Sequence, residues 1–154
     1  MYPTLLALHS LTRWLVLASL LFAICHSFRS WKQGKPYTQS DNIVRLLTVT
    51  ICHIQLVIGL VLYSISPLVR IFLNQFSSAV HQRQLRFFGM EHIFVMVASV
   101  ILITFGSVKV TQKATGADRF KTMAIWFSAG LFLILTSIPW AFSPLVSRPW
   151  WRSF

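Results

Sequence analysis

Four long apolar stretches, separated by clusters of charge, constrain this chain more than any other feature. They cover residues 3–28, 46–69, 87–108 and about 122–143. Each is long enough for a helix to cross ~30 Å of hydrocarbon, which takes about 20 residues. Only helices and closed barrels satisfy their backbone groups in lipid. The stretches therefore predict an all-α transmembrane four-helix bundle, with residues 1–154 in a single domain.

The composition excludes most soluble classes of protein. Hydrophobic residues make up 55% of the 154 residues and charged residues only 11%, which is too apolar for a soluble domain. The 14 lysines and arginines give a formal net charge of +11, but all except Arg13 flank the apolar stretches, and they form no separate basic domain. This arrangement indicates contact with membrane lipid headgroups and predicts no nucleic acid partner. The three acidic residues form no carboxylate pair, so no catalytic residue is predicted.

The distribution of basic residues predicts how the bundle lies in the membrane. The first and third connections share one side, and their basic residues are Arg29, Lys32, Lys35, Arg45, Lys109, Lys113, Arg119 and Lys121. The positive-inside rule then favours both termini on the outer face. The first stretch lacks a basic n-region and a small-residue cleavage site, so we expect it to remain as a membrane helix. Residues 70–84 mix apolar and polar side chains, as an interfacial helix does.

Ionisable side chains inside the apolar stretches point to function, because each is costly in hydrocarbon. Counting about 1.5 Å per residue from the middle of each stretch places His9 and His92 at one depth, roughly 8–10 Å outward of the midplane. Arg13 lies one turn from His9 on the same helix face, and Glu91 directly precedes His92. Gly59, on the second stretch, lies near the same height, where its missing side chain leaves room for a flat ligand.

Two histidines at one depth on different helices can supply both axial ligands of a b-type haem. Neutral imidazole is a strong ligand for haem iron, and facing helices can hold the macrocycle between them. A haem propionate needs a cation here, and Arg13 is within a turn of His9. Histidines also hydrogen-bond between membrane helices, and Arg13 with Glu91 could form a buried ion pair. The level pair and the arginine favour haem b, with His9 and His92 on the iron.

The remaining histidines of the stretches leave alternatives open. His53 falls roughly 15 Å below the outer pair, but an outward shift of its span would let it pair with either outer histidine. His53 and His26 could instead bind a second, inner haem, although their heights differ by several Å. Each of the two follows a cysteine, Cys25 or Cys52, so a site for a soft metal such as copper is a further alternative.

Four runs, spread over nearly the whole chain, combine residues that composition alone does not predict. They are LHSLTRW at 8–14, HIQLVIGLVLY at 53–63, FFGMEHIFVMVASVILITFG at 87–106 and SIPW at 137–140. These runs resemble small four-helix membrane proteins of Bacteroidetes-type bacteria that are often labelled cytochrome b. The resemblance implies a b-haem electron carrier of the bacterial inner membrane, alone or as a subunit of a respiratory complex. The positions that the family pattern marks are His9, Arg13, His53, Glu91 and His92.

The sequence thus predicts an electron-transfer protein that would exchange single electrons with quinone or with other respiratory subunits. The candidate residues for a quinone site are Trp14, Gln55 and Tyr63. An alternative from another class is a cofactor-free accessory subunit that packs against a larger membrane complex through small residues. Those small residues are Gly59, Gly89, Gly106 and Gly130. A third alternative is a metal or proton pathway that uses the three histidines His9, His53 and His92 as relays.

Overall fold

The computed structural model describes residues 1–140 and residue 146, and in that part of the chain it contains helices and no strand. The α-helices are α1 (Tyr2–Lys32), α2 (Gln39–Ile65), α3 (Pro67–Asn74), α4 (Phe76–Ala79), α5 (Arg83–Arg86), α6 (His92–Thr111) and α7 (Gly116–Ser137). A π-helical turn, Phe87–Glu91, joins α5 to α6, so that Arg83–Thr111 is one continuous helix. Together with α1, α2 and α7 it gives the described chain four helices long and apolar enough to cross a membrane.

The four long helices form a closed ring around a common core. Helix α1 contacts α2, α2 contacts α6, α6 contacts α7, and α7 contacts α1. Leu20, Ile103 and Phe127 are completely buried at the centre. Fewer than half of the residues in each apolar window are buried, and large side chains such as Phe94 and Phe132 face outward. Because these outward faces are apolar, they contact membrane lipid, and the predicted all-α membrane bundle is confirmed.

Small residues allow α6 and α7 to approach each other closely. A Cβ atom on Gly106 would overlap the side chain of Trp126, and one on Gly130 would overlap Ile103. Close approach through small residues drives helix packing in membranes, where the hydrophobic effect between helices is lost. These two glycines therefore serve the packing of α6 against α7 within the bundle.

Proline sets two helix ends that differ from the predicted spans. Helix α2 ends at Ile65, four residues early, because Pro67 forces the residue before it into an extended conformation with a ψ of 125°. Helix α7 ends at Ser137 for the same reason, since Pro139 comes two residues after it and the intervening ψ is 129°. The predicted end of this span, residues 141–143, lies outside the described residues. The other two long helices extend beyond the predicted spans at both ends.

The turn between α1 and α2 is fixed by a capping network. Gly34 adopts a left-handed conformation, with a φ of +63°, just after α1 ends. The backbone N–H and the hydroxyl of Thr38 both donate to Asp41 Oδ2, at 2.7 and 2.6 Å. The other oxygen, Asp41 Oδ1, lies 2.6 Å from His26 Nε2 on α1. The start of α2 is thereby tied to the last turns of α1.

The long connection between α2 and α6 folds into short helices. Residues 70–84, predicted as one interfacial helix, contain the end of α3, all of α4 and the start of α5. Phe72, Ala79 and Leu85 are buried together, whereas Leu73 is exposed. A Cβ atom on Gly89 would overlap Phe72. The connection therefore packs directly against the π-helical turn.

Candidate functional site

A cavity of about 460 Å³ lies near the end of the bundle at which α1 begins and α2 ends. Its volume falls within the range of about 300–1,000 Å³ that is usual for small-molecule and cofactor sites. Its wall is mostly apolar, with a few polar side chains from α1, α2 and α6. We call it the histidine cavity, and the lining residues that matter below are His9, Arg13, Cys52, Gln55, Gly59, Phe88, His92 and Met96.

Four of the six predicted site residues line this cavity. His9 and Arg13 reach it from α1, Gly59 from α2, and His92 from the first position of α6. The other two, His53 and Glu91, are not part of its lining. The equal depth inferred from the sequence for His9 and His92 therefore corresponds to a shared cavity in the structure.

The ring of His92 is oriented by a backbone carbonyl. Its Nδ1 lies 2.8 Å from the carbonyl oxygen of Ser137 and donates to it. Ser137 is the last residue of α7, so its carbonyl has no partner within that helix. With the proton on Nδ1, the lone pair is on Nε2, which is the arrangement of a histidine prepared to bind a metal.

The ring of His9 packs against the backbone of α2. A Cβ atom on Gly59 would lie 3.2 Å from His9 Cε1. Gln55 Nε2 donates to the His9 carbonyl at 2.9 Å and lies 3.4 Å from His9 Nε2, while the Thr12 hydroxyl donates to Gln55 Oε1. The buried His9 Nδ1 has no hydrogen-bond partner among residues 1–140 and 146. Such an unpaired buried group costs about 1–3 kcal/mol, which a ligand bound to this ring could offset.

The π-helical turn directly before His92 is held from both sides. The Tyr63 hydroxyl on α2 donates to the Gly89 carbonyl at 2.7 Å. Arg86 Nε donates to Glu91 Oε1 at 2.6 Å, across the turn. A π-helical turn contains one extra residue, and one residue corresponds to about 100° of rotation around a helix. The turn therefore sets the direction in which His92 points relative to the side chains of α5. Turns of this kind are frequent at functional sites.

Arg13 lines the same cavity one turn along α1 from His9. Its guanidinium carbon lies 5.3 Å from the ring centre of Trp14, within the range of a cation–π contact. The indole of Trp14 in turn lies 6.4 Å from that of Trp140, edge to face. A cation is thus present at the cavity wall, where a bound anionic group would meet it.

The three candidate residues for a quinone site are only partly brought together. Gln55 lines the histidine cavity, and Tyr63 lines a side pocket of about 120 Å³ that shares His9 and His92 with it. Trp14 is in the lining of neither.

His53 lies on the outside of the bundle. Its side chain is exposed, with Nδ1 2.8 Å from the Val49 carbonyl and Nε2 3.2 Å from Thr104 Oγ1. Both ring nitrogens therefore have local partners on α2 and α6. His26, its suggested partner for an inner haem, contacts Asp41 and lines a separate cavity at the opposite end of α1.

The two Cys-His pairs do not converge. Cys25 is exposed and lies beside that separate cavity, whereas Cys52 is buried and lines the histidine cavity. Within the described part of the chain, no three His, Cys, Asp or Glu side chains are close enough to hold a metal ion. The geometry therefore gives no support to the copper alternative in this region.

Sequence reasoning named Gln55 and Cys52 in other roles and did not place them beside the histidine pair, although helical spacing could have done so. Starting from Gly59, the positions four and seven residues earlier on the same helix face are Gln55 and Cys52. His53 follows Cys52 directly and therefore lies about 100° further around the helix, on a face that does not line the cavity. The role of the Ser137 carbonyl had no such signal, because any residue at the end of α7 provides one.

Comparison of the chain with models of known protein families, with curated proteins and with solved structures gives no match. The geometry of the histidine cavity is therefore the main basis for a functional conclusion.

Proposed function

We propose that this protein is a membrane b-type cytochrome, which binds one haem b in the histidine cavity and carries single electrons in a respiratory chain. One observation carries the proposal: His9 and His92, from two different helices, line one largely apolar cavity of cofactor size. Bis-histidine ligation between facing helices is an established way to hold haem in a bundle. The resemblance of the sequence to small membrane proteins labelled cytochrome b adds independent support.

The residues present fit the requirements of such a group. His92 has its proton fixed on Nδ1 by the Ser137 carbonyl and keeps its Nε2 lone pair for a metal. His9 has a buried ring nitrogen without a hydrogen-bond partner in the described chain. Gly59 has no side chain, which lets the His9 ring lie close against the backbone of α2. Arg13 would neutralise a propionate, since a carboxylate in such a site needs a charged or hydrogen-bonding partner.

When bound, haem would supply the one-electron chemistry, and the protein would set how readily it occurs. The hydrogen bond from His92 to Ser137 makes the imidazole more electron-rich, which favours the oxidised state of a metal. The positive charge of Arg13 acts in the opposite direction and favours the reduced state. The largely apolar wall lowers the local dielectric constant, which is one of the factors that set a haem potential.

The proposed setting is the inner membrane of a bacterium, with quinone or other respiratory subunits as electron partners. Four apolar helices support the membrane location, and the side pocket beside Tyr63 offers space next to both histidines for such an exchange. The wider assignment to a respiratory chain is supported by the sequence resemblance alone.

The accessory-subunit alternative has less support from the structure. It relied on small residues facing a partner, yet a Cβ atom at Gly89, Gly106 or Gly130 would overlap a side chain of this same chain. Gly59 faces His9. A pathway through three histidines is also less favoured, since His53 lies outside the cavity that the other two share.

A reduced-minus-oxidised absorption spectrum of the detergent-purified protein tests the proposal. We expect a sharp reduced α-band at the b-type position and about one haem per chain in a pyridine haemochrome assay. A folded, monodisperse protein that stays colourless after incubation with haem would contradict the proposal and favour the accessory subunit.

A further inference from the structure

We propose that a basic groove at the end of the bundle opposite the histidine cavity binds the headgroup of an anionic phospholipid. The groove runs along the last turns of α1 and the turn into α2, and encloses about 270 Å³. Its lining residues are Phe22, Cys25, His26, Arg29, Ser30, Gln33 and Lys35. It is separate from the proposed haem site, so the two proposals can fail independently.

Most basic side chains at this end of the bundle are already engaged with other groups. Lys32 and Lys121 both lie over the ring of Trp31, and Lys109 lies over a phenylalanine ring. Arg45 is buried and donates to the carbonyl of Ser107. Arg119 donates to a backbone carbonyl and lies over a tyrosine ring. These five cations are therefore committed to contacts within the chain.

Arg29 and Lys35 differ from these cations. Within residues 1–140 and 146, neither side chain forms an ion pair, a hydrogen bond or a ring contact. Both line the basic groove, and both are exposed. A groove with two uncommitted cations on its wall is suited to a phosphate diester, since Arg and Lys both bind phosphate strongly.

The nearby carboxylate does not cancel this charge. Asp41 places one oxygen against His26 and accepts two hydrogen bonds from Thr38 on the other. Both oxygens thus have partners outside the phosphate site, and Asp41 is not part of the groove lining. Arg29 and Lys35 are thus the charges directly available at the groove wall.

The order of apolar and charged residues selects a lipid over a free anion. Phe22 is 60% exposed on the membrane side of the groove, and Arg29 lies seven residues further along α1, about 10 Å by helical rise. A phospholipid has the same order, with acyl chains next to a charged phosphate. The end of a membrane-spanning helix is also the level at which headgroups lie. A free phosphate would use only the charged half of the groove.

Native mass spectrometry tests this proposal on the full chain in mixed micelles with equal phosphatidylglycerol and phosphatidylcholine. We expect wild type to retain one phosphatidylglycerol per chain in preference to phosphatidylcholine. The double variant Arg29→Gln/Lys35→Gln should lose this preference, by roughly 10-fold or more for each cation removed, as expected for a charge-assisted hydrogen bond to the phosphate. The matched control, Lys109→Gln/Lys113→Gln, removes the same charge from the same end and should behave as wild type.

Three outcomes would overturn the proposal. Equal losses in the two double variants would mean that diffuse charge attracts the lipid. Equal retention of both lipids by wild type would mean that no headgroup site exists. Displacement of phosphatidylglycerol by millimolar inorganic phosphate would identify a site for soluble anions. A thermal unfolding scan of each variant shows whether the chain is folded, and Arg29→Lys, which keeps the charge, should retain the preference if the fold is intact.

Discussion

Replacing Gly59 with leucine should weaken haem binding in the histidine cavity. A Cβ atom at this position lies 3.2 Å from His9 Cε1, whereas carbon atoms in contact prefer about 3.5–4.0 Å. Alanine therefore needs the ring to move by only about 0.3 Å, which the cavity can accommodate. Leucine adds three more carbon atoms on the side where His9 and the ligand must lie.

The expected loss of haem affinity in Gly59→Leu follows from the free-energy cost of overpacking. Inserting methylene groups into a packed site typically costs about 1–3 kcal/mol. If this cost falls on the bound state, the dissociation constant for haem rises roughly 5- to 160-fold. The alanine variant should fall near wild type, because its single carbon needs only a small shift of the ring.

Haem titration of the apoprotein in detergent, monitored by the Soret absorbance, measures this constant. Val57→Leu is the matched control, since it places leucine on the same helix at a lipid-exposed position, and it should bind haem as wild type does. Wild-type affinity in Gly59→Leu would refute the argument that the His9 ring needs the space over Gly59 in order to bind haem. Equal losses in Gly59→Leu and Val57→Leu would refute it as well.

Two further predictions concern the supports of the site and the fold. Tyr63→Phe removes the hydrogen bond to the π-helical turn, which in membranes is worth about 0.6–1.7 kcal/mol, so haem affinity should fall roughly 3- to 20-fold. The same haem titration measures this loss of affinity. Ser64→Ala is the control, because the Ser64 hydroxyl forms its hydrogen bond within α2. An unchanged affinity in Tyr63→Phe would mean that the π-helical turn does not support the site. Thr38→Ala deletes the hydroxyl of the α2 cap and should cost about 1 kcal/mol, or roughly 2–4 °C in the midpoint of thermal unfolding in detergent. Ser40→Ala, an exposed neighbour, should leave the midpoint unchanged, and equal shifts in the two variants would contradict the capping role.

The architecture could be predicted because the membrane imposes it. Long apolar stretches have only one compact solution in lipid, so the number and order of the spans can be read from the sequence. The level placement of His9 and His92 can be read in the same way, since helical rise is constant. Helix ends were less accurate, because the effect of Pro67 and Pro139 on the residue before each is local and overrides hydropathy.

The details of the site depend on contacts that no linear pattern shows. Glu91 forms its ion pair with Arg86, five residues earlier, because the π-helical turn changes the register between them. An α-helical reading places such residues on different faces. No pair between them is therefore expected from the sequence, and the ion pair considered for Glu91 was with Arg13. Depth alone separated His53 from the outer pair, and it was the family pattern that marked this residue. In the structure its position around the helix turns it toward Thr104 and the outer surface.

Haem content per chain in single histidine variants tests the central claim most directly. The pyridine haemochrome assay would be applied to purified His9→Ala, His92→Ala, His53→Ala and His26→Ala, each shown to be folded by circular dichroism. We predict about one haem per chain in wild type and in the last two variants, and loss of haem in the first two. Full haem content in both His9→Ala and His92→Ala, or loss only in His53→Ala, would contradict the assignment of the histidine cavity as the haem site.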